Sequence, residues 1–475
     1  MRYGTLFNIL GKLIFFLGLS LLLPLGWAVY YGEATGPFIW PILLSIFLGG
    51  SLFNRVKENG DIRPREGFAV VGLGWLVTVL IGVLPYLISG TFSTFSDAFF
   101  ETMSGFSTTG ASVLADIEGT DRSILFWRSL THWLGGMGIM VLFISILGTV
   151  GPGGLQVFRA EVPGTYSLEK FKPRIKEMAA ILWTTYVVIS GAQTIALLFA
   201  GLDFFDATVH TFGTMATGGF SSYSASIGAF DNTVRWIITF FMFLAGVNFS
   251  LYYVALRRKT LREFWKSAEF RLYLGILVFF SIVMTLVLWG EGETITDTVF
   301  QVVSITTTTG FATADFAAWP FAASGILVFL MFIGGCAGST GGSMKVGRHL
   351  ILSRHAMIEM QRMVRPRRVL SMRIEGMVIP ERVITNILTF AFIYLFLTAV
   401  STIVVLTGGH NLVTSFSAVV ACIGNIGPGL GGVGPTMDYT IFGGGYKIYL
   451  AFLMLIGRLE IFTILVLFLP NTWRR

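Results

Sequence analysis

The sequence predicts an all-α polytopic membrane protein in which two N-terminal transmembrane helices precede four tandem units, arranged around a central axis with pseudo-fourfold symmetry. Three observations predict this fold. Of the 475 residues, 54% are hydrophobic and 12% are charged, whereas an ordinary soluble domain has roughly 25% charged residues. Ten apolar stretches are long enough, or nearly so, to cross a membrane, and a shorter apolar segment recurs four times between them. With 44 Phe and two Cys, the composition also excludes a disordered chain and a disulfide scaffold.

A transmembrane helix needs about 20 apolar residues, because each adds ~1.5 Å toward a hydrocarbon core of ~30 Å. The ten predicted spans are 13–31, 38–53, 68–89, 129–150, 179–200, 236–256, 272–290, 321–344, 383–406 and 448–469. Arg2 and Lys12 before the first span would also suit a signal peptide. That span is long for such a segment and no small-residue cleavage site follows it, so we interpret it as a retained helix.

The basic residues predict the orientation of these spans. Of the 33 Lys and Arg, 28 fall in the two termini and the loops on one side, four fall in the loops on the other side, and Arg458 lies within the last span. This asymmetry places both termini in the cytoplasm and gives no reason to expect a nucleic-acid partner. The outer loops carry 14 of the 26 acidic residues, which would concentrate cations at that face or would simply be tolerated in exposed loops.

The four short apolar segments, 97–107, 205–215, 297–307 and 411–423, are too short to cross a membrane and predict re-entrant half-helices. Each begins near a residue that favours the N-cap position. These N-cap candidates are Asp97, Asp206, Asp297 and Asn411. Each segment is followed by a loop that contains a glycine. These four glycines are Gly110, Gly218, Gly310 and Gly427, at successive spacings of 108, 92 and 117 residues.

The predicted unit is therefore a helix, a half-helix, a glycine-containing loop and a second helix. We place the N-terminal two-helix extension at 1–66 and the four units at 67–170, 171–262, 263–375 and 376–475. Because each unit has an even number of crossings, all four insert with the same orientation. Parallel copies are related by an axis along the membrane normal, whereas inverted repeats are related by an axis in the membrane plane.

Non-helical backbone at membrane depth is costly unless it lines water or is buried in protein. Four such loops on one axis can present their carbonyl groups to dehydrated cations, as in a potassium-type selectivity filter. Glycine suits these loops because it adopts positive φ without strain, and the partial negative ends of the half-helices favour a cation. The residues that we expect to form this filter are Thr108, Thr109, Gly110, Ala216, Thr217, Gly218, Thr308, Thr309, Gly310, Asn425, Ile426 and Gly427.

At this point the chain resembles the Trk/Ktr/HKT family of potassium transporters. The resemblance is carried by the four-unit pattern, the glycine-rich stretch 334–342, the fourth loop 425–429 and the late pair Gly457-Arg458. The extra N-terminal helix pair is similar to the bacterial Trk membrane subunit of the TrkH or TrkG type. The resemblance implies selective potassium uptake across the bacterial inner membrane, a homodimer, and a cytoplasmic ring of nucleotide-binding (NAD or ATP) regulatory subunits.

Two departures from the family pattern are Ser107, where Thr is expected, and Ser343, where the glycine run often continues. Neither changes the four key glycines. They leave the predicted selectivity intact and affect only the details of the predicted gate.

The span 321–344 contains five glycines within nine residues, which should break the helix because each costs roughly 1 kcal/mol relative to alanine. In a channel this loop would lie below the filter and act as a gate, although a close-packed Gly-xxx-Gly face is the alternative. The gate residues are Gly334, Gly335, Cys336, Ala337, Gly338, Ser339, Thr340, Gly341 and Gly342.

Arg458 is the second component of the predicted gate. A mid-membrane arginine costs ~2.5–3.5 kcal/mol on insertion scales, so it is functional by default. The resemblance implies that it faces the pore under the filter as an electrostatic barrier. A structural ion pair with Glu460 is the alternative, but residues two apart on a helix point in different directions.

Other patterns carry little weight. The stretch 429–434 fits the dinucleotide fingerprint but follows no predicted strand, and no organic cofactor is expected on this chain. Cys336 and Cys422 are interpreted as buried thiols. The basic run from Arg362 to Arg373 is either a charge cluster that contacts membrane lipids or a docking surface for the regulatory ring.

Three classes of function remain after these exclusions. The first is a gated, channel-like potassium transporter driven by the membrane potential. The second is a potassium symporter that couples the same pore to protons or sodium. A membrane enzyme or receptor is the third and the least supported, because no catalytic constellation is present.

Overall fold

The computed structural model describes residues 3–55, 64–138, 175–366 and 370–470. As predicted, these ranges are mostly helical. The strands in them are Arg373–Ile374 and Met377–Val378, which pair as a small antiparallel hairpin.

The N-terminal extension forms α1 (Tyr3–Ser20), α2 (Leu22–Tyr31) and α3 (Gly36–Arg55). Helices α1 and α3 pack so closely that a Cβ atom on Gly11 would lie 2.7 Å from the Cβ of Leu52. Small residues commonly allow such an approach between membrane helices.

Four successive groups of helices follow. Units 1 and 2 comprise α4 (Pro64–Gly82), α5 (Leu84–Ser89), α6 (Phe95–Phe106), α7 (Arg122–Gly136), α8 (Ile175–Phe199), α9 (Phe204–Met215), α10 (Asn232–Ala245), α11 (Phe249–Arg258) and α12 (Arg262–Lys266). Units 3 and 4 comprise α13 (Ala268–Val287), α14 (Ile295–Thr306), α15 (Phe321–Met331), α16 (Val346–Val364), α17 (Glu381–Leu406), α18 (Leu412–Gly424), α19 (Gly444–Arg458) and α20 (Phe462–Leu465). The predicted half-helices correspond to α6, α9, α14 and α18.

The half-helices begin at equivalent caps, but three of the four predicted N-caps are wrong. In these three, the cap lies three residues earlier, at Thr94, Asp203 and Thr294, and its side chain accepts a hydrogen bond from the amide of the predicted residue. Asp97, Asp206 and Asp297 therefore occupy the first helical turn, where a carboxylate stabilises the positive helix end. Asn411 is the N-cap of α18, as predicted.

The spans differ from the predicted ten in their continuity. Within the described ranges, six helical segments are long and apolar enough to cross a membrane without a sharp bend. These are Tyr3–Tyr31, Gly36–Asn54, Glu66–Ser89, Ala179–Phe199, Ala268–Val287 and Glu381–Leu406. Of the predicted span 129–150, the part beyond residue 138 lies outside the described residues.

Two other predicted spans are wrong as straight helices. The chain bends by 89° between α10 and α11, and by 111° between α19 and the last helical segment. At the first bend Asn248 starts a new helix by accepting a hydrogen bond from the Ser250 amide. At the second, Glu460 and Ile461 have φ values of 54° and 48°, which no α-helix allows.

The buried core forms two main apolar clusters. One extends from the N-terminal helices through units 1, 2 and 4, and includes Trp75, Trp127 and Leu450. The other joins units 2, 3 and 4 around Tyr273 and Phe300. Both clusters surround the half-helices, so the packing fixes where these helices end.

Ion pairs join successive units at their outer ends. Lys447 of unit 4 lies 2.6 Å from Asp97 of unit 1, and Arg235 of unit 2 lies 3.3 Å from Asp297 of unit 3. Arg122 of unit 1 lies 3.9 Å from Asp203 of unit 2. The acidic residues of these pairs lie at the cap or in the first turn of α6, α14 and α9, so the pairs fix these three half-helices against the unit before them in cyclic order.

A buried pair inside unit 1 joins α6 to α7. The Nε of Arg128 lies 2.6 Å from Oε1 of Glu101, and their side chains are 3% and 0% exposed. Glu101 also accepts hydrogen bonds from the Ser112 hydroxyl and the Val113 amide. The pair thus ties the loop after α6 to both helices.

We expect Glu101→Gln to lower the free energy of unfolding by about 3–5 kcal/mol, because it leaves the Arg128 guanidinium buried without a countercharge. The matched control is Glu359→Gln, which breaks an exposed pair with Arg362 and should cost about 0–1 kcal/mol. Denaturant unfolding in detergent measures both values. Equal losses in the two variants would contradict the structural role of the buried pair.

Candidate functional site

The chain leaves each half-helix through the same turn. A residue one or two positions after the last helical residue has positive φ in all four units: Thr108 (57°), Thr217 (53°), Thr308 (63°) and Asn425 (53°). The next amide then donates to the carbonyl five residues back, at 2.8–2.9 Å in every unit: Thr109 to Ser104, Gly218 to Gly213, Thr309 to Ser304 and Ile426 to Ala421. This is the Schellman arrangement, which satisfies carbonyls at a helix C-terminus.

A second positive φ follows two residues later and corrects the predicted register of unit 2. The glycines with this conformation are Gly110 (79°), Gly219 (83°), Gly310 (77°) and Gly427 (97°). In unit 2 the equivalent of Gly110 is therefore Gly219, and Gly218 takes the place of Thr109, Thr309 and Ile426. The prediction of Gly218 as the key glycine was one residue too early, because two glycines stand side by side in the sequence and the turn at the end of α9 identifies the second one.

These four glycines close a ring. A Cβ atom added to Gly110, Gly219, Gly310 or Gly427 would lie under 3 Å from a carbonyl oxygen of the next unit around the axis. The oxygens that would be met belong, in that order, to Gly218, Thr309, Ile426 and Thr109. Each oxygen comes from the residue just before the next glycine, so the four segments contact one another in cyclic order. The predicted filter segments thus meet around one axis.

The ring lies between two cavities. An outer cavity of about 150 Å³ is lined by Gly110, Gly219, Gly310 and Gly427, one from each unit. An inner cavity of about 50 Å³ is lined by the loop after α15 together with Gly136, Gly457 and Arg458. An ion moving from one cavity to the other would therefore have to pass the ring.

Side-chain hydrogen bonds next to the ring hold its segments in place. Asn425 of unit 4 donates to the Thr109 hydroxyl of unit 1 at 3.0 Å, and also to the carbonyl of Met454. The Ser107 hydroxyl lies 2.7 Å from that of Thr109, and in unit 3 the Thr307 hydroxyl lies 2.8 Å from that of Thr309. Ser107 therefore makes the contact that threonine makes in unit 3, so this departure from the family pattern leaves the bracing in place.

The frame around the outer cavity includes residues that the sequence did not single out. Arg128 donates to the Ser221 carbonyl at 3.1 Å and stacks on Phe220, with its guanidinium carbon 3.5 Å from the ring centroid. Tyr439 donates to the carbonyl of Gly427 at 2.8 Å. The only signal for these residues in the sequence was the charge of Arg128 near a predicted half-helix, and a charge by itself does not specify its partners.

Glu118 adds negative charge at the outer mouth. The hydroxyl and the amide of Ser224, a residue of the outer cavity, donate to its carboxylate at 2.5 and 2.7 Å. These hydrogen bonds lower the pKa of Glu118, so it stays ionised to lower pH than a free carboxylate.

On the other side of the ring, α15 ends at Met331 and the glycine-rich stretch is a loop, as predicted. The Gly342 amide donates to the Thr308 hydroxyl at 2.7 Å, so the loop is bonded directly to a filter segment. The Cys336 amide donates to the Gly246 carbonyl at 2.8 Å, and the Phe249 amide to the Gly338 carbonyl at 3.0 Å.

Glu269 holds the other end of this loop, and the sequence reasoning missed it. Its Oε1 accepts hydrogen bonds from the amides of Ala337 and Gly347, at 2.7 and 2.9 Å. Glu269 lies in the first turn of α13, where an acidic residue in a sequence looks like ordinary helix capping.

Arg458 joins the loop to the ring. It donates to the Thr108 hydroxyl at 3.1 Å, to the Thr340 carbonyl at 2.9 Å and to the Gly135 carbonyl at 2.6 Å. Glu460, the alternative partner considered from sequence, instead pairs with Arg348 of α16. The single guanidinium thus contacts unit 1 and unit 3 from unit 4, beside the inner cavity.

Both cysteines are free and buried, as expected. Among the described residues, no group of three or more His, Cys, Asp or Glu side chains could hold a metal ion.

Comparisons with known proteins agree with this geometry. The family model described as "TrkH: Cation transport protein" matches residues 38–475. The chain is 40% identical to the "Trk system potassium uptake protein TrkH" of Escherichia coli K12, over 100% of both chains. It is 34% identical to TrkG of the same organism, over 98% of this chain and 97% of that protein.

A solved structure is similar over the same extent. It is the "Crystal Structure of the Potassium Transporter TrkH from Vibrio parahaemolyticus", with a TM-score of 0.90, 36% identity and 100% coverage of both chains. The resemblance inferred from the motifs is confirmed, and the relatives are transport proteins rather than enzymes. This chain belongs to the TrkH family of cation transport proteins.

Proposed function

We propose that this chain is the pore-forming subunit of a Trk-type potassium uptake system, a gated and channel-like transporter driven by the membrane potential. One observation carries the proposal: four equivalent glycines, each against a carbonyl of the next unit, form a closed ring between two cavities. The names of its relatives point to potassium as the transported ion.

Selectivity in this proposal comes from the backbone of the ring. Potassium exchanges its water shell for carbonyl and hydroxyl oxygens, supplied by the predicted filter residues with Gly219 added. The C-termini of the half-helices end at the ring and stabilise a cation there. One monovalent cation gains ~2.3 kcal/mol per 100 mV of membrane potential, which drives uptake without a second coupled ion.

Gating in this proposal comes from Arg458 and the loop 334–342. Together they line the inner cavity and are hydrogen-bonded to Thr108 and Thr308 at the base of the ring. The guanidinium repels a cation that leaves the ring, and the loop narrows the path. Opening requires these hydrogen bonds to break while the ring itself is kept.

We further propose a multi-pass protein of the bacterial inner membrane with both termini cytoplasmic, on the 28-to-4 distribution of basic residues. The unit boundaries 67–170, 171–262, 263–375 and 376–475 follow from the same repeat. A homodimer and a nucleotide-binding regulatory ring on the cytoplasmic side belong to the proposal through the family resemblance.

Purified protein in lipid vesicles should pass potassium and rubidium down their gradients when no pH or sodium gradient is imposed. The expected reason is that a continuous backbone-lined path needs no coupled ion. Isotope flux measures this, and vesicles without protein are the control. A strict requirement for a proton or sodium gradient would favour the symporter instead.

Gly110→Ser and Gly219→Ser should let sodium compete with potassium, with a roughly tenfold loss of preference. A side chain at positive φ costs ~1–2 kcal/mol, about a factor of ten in an equilibrium, and displaces a ring carbonyl. Competition of sodium with potassium uptake measures the effect. Gly191→Ser is the control, because nothing lies within 4 Å of its added Cβ. Unchanged preference in both ring variants would contradict the filter assignment.

Arg458→Gln should raise potassium flux several-fold, because it removes the positive charge and weakens charge-assisted hydrogen bonds worth ~1.5–3 kcal/mol. Arg458→Lys keeps the charge but not the planar set of donors, so it should fall between wild type and the Gln variant. Flux at matched protein amounts measures both.

The control for this series is Arg382→Gln, which removes a charge from the exposed start of α17. It should leave flux unchanged. Equal or lower flux in Arg458→Gln, with normal expression, would rule out the gating role of Arg458.

A further inference from the structure

A sharp bend joins α10 to α11. Helix α10 has 14 residues and is thus ~21 Å long, shorter than the ~30 Å hydrocarbon core, so the bend falls inside the predicted span. Helix α11 leaves it at 89° and leads to the basic residues 257–259 on the predicted cytoplasmic side. Leu256, Leu261 and Trp265 are 80%, 74% and 59% exposed there, as in helices that lie in a lipid interface.

An apolar groove of about 660 Å³ lies inside this elbow. It is bounded by Val247 at the bend, by Tyr252 and Ala255 of α11, and by Phe264 and Phe270. The Tyr252 hydroxyl is already paired within the protein, since it donates to the Leu244 carbonyl at 2.7 Å. The groove therefore suits an alkyl chain and offers it no unpaired polar group of that tyrosine.

Positive charge stands at one edge of the groove. Lys259 lines it and ends α11 with a φ of 51°. In this segment of the described chain, the recorded ion pairs are those of Arg258 and Lys266, both with Glu263. Lys259 and its neighbour Arg257 have no acidic partner among the described residues, so the polar end of the groove has a net positive charge.

We propose that this groove binds one anionic phospholipid, with an acyl chain along Tyr252 and Phe264 and its phosphate at Lys259. An apolar channel with a basic edge at the membrane interface matches such a lipid in both parts. A neutral lipid would leave the basic edge without a countercharge, and a soluble anion would leave the apolar groove unfilled.

The site also adjoins the predicted gate. The bend that carries Val247 is hydrogen-bonded to the loop 334–342. The Gly246 carbonyl accepts from the Cys336 amide, and the Phe249 amide donates to the Gly338 carbonyl. The Thr340 hydroxyl donates to the Ala245 carbonyl at 3.2 Å. A lipid in the groove thus packs against the same backbone that holds the loop 334–342, although its binding does not depend on the proposed function.

Native mass spectrometry of the purified protein, titrated with phosphatidylglycerol or phosphatidylcholine, tests the proposal. Wild type and Arg382→Gln should retain one phosphatidylglycerol in preference to phosphatidylcholine. Lys259→Asn should bind phosphatidylglycerol about fivefold more weakly, as expected for one basic residue at a membrane surface. Asn is chosen because it tolerates the left-handed conformation at this position.

Ala255→Phe fills the groove and should remove the retained lipid whatever its headgroup. Unchanged retention of phosphatidylglycerol in Lys259→Asn would overturn the proposal, even if the Phe variant does not fold. The same spectra report the number of chains. Loss of a dimer in Ala255→Phe without loss of lipid would show that a second copy of the chain fills the groove, and would also overturn it.

Discussion

The close contact of each ring glycine with a carbonyl of the next unit is the constraint on which the rest of the structure depends. A Cβ at Gly110, Gly219, Gly310 or Gly427 would lie under 3 Å from that oxygen, so each segment can hold its place only beside its neighbours. Non-helical backbone at this depth needs such protein neighbours. The four Schellman turns deliver each segment to the ring in the same conformation.

Several contacts outside the ring hold the half-helices in place. Ion pairs join units at the outer ends, and the buried Arg128–Glu101 pair supports the loop of unit 1. The N-terminal extension also supports unit 1. The Glu33 carboxylate accepts hydrogen bonds from the backbone amides of Arg122 and Ser123, at 2.8 and 2.9 Å. It thereby caps α7, whose other end supplies the Gly135 carbonyl to Arg458.

The four units are equivalent at the ring but not below it. Among the described residues, the long glycine-rich loop belongs to unit 3, and the arginine beside the inner cavity belongs to unit 4. These two asymmetric elements meet where Arg458 donates to the Thr340 carbonyl. The loop is in turn held by the bend after α10 and by Glu269 of α13. The symmetric ring thus suits the proposed ion path, whereas the two asymmetric elements suit the proposed gate.

The sequence by itself determined the class of fold, the four half-helices to within about two residues at each end, and the break in the span 321–344. Apolar length, turn residues and glycine content are local properties, so a single chain reports them directly. Only the tertiary structure decided that Gly219 rather than Gly218 is the ring glycine, and that Arg458 contacts Thr108 and Gly135. It also decided where α10 and α19 bend. The contacts of Arg458 join residues 350 and 323 positions apart, and no local pattern encodes such partners. The ring glycine depends on the residue at which α9 ends, and the bends depend on backbone angles that the packing selects, so a sequence that gives helix ends to within about two residues left both open.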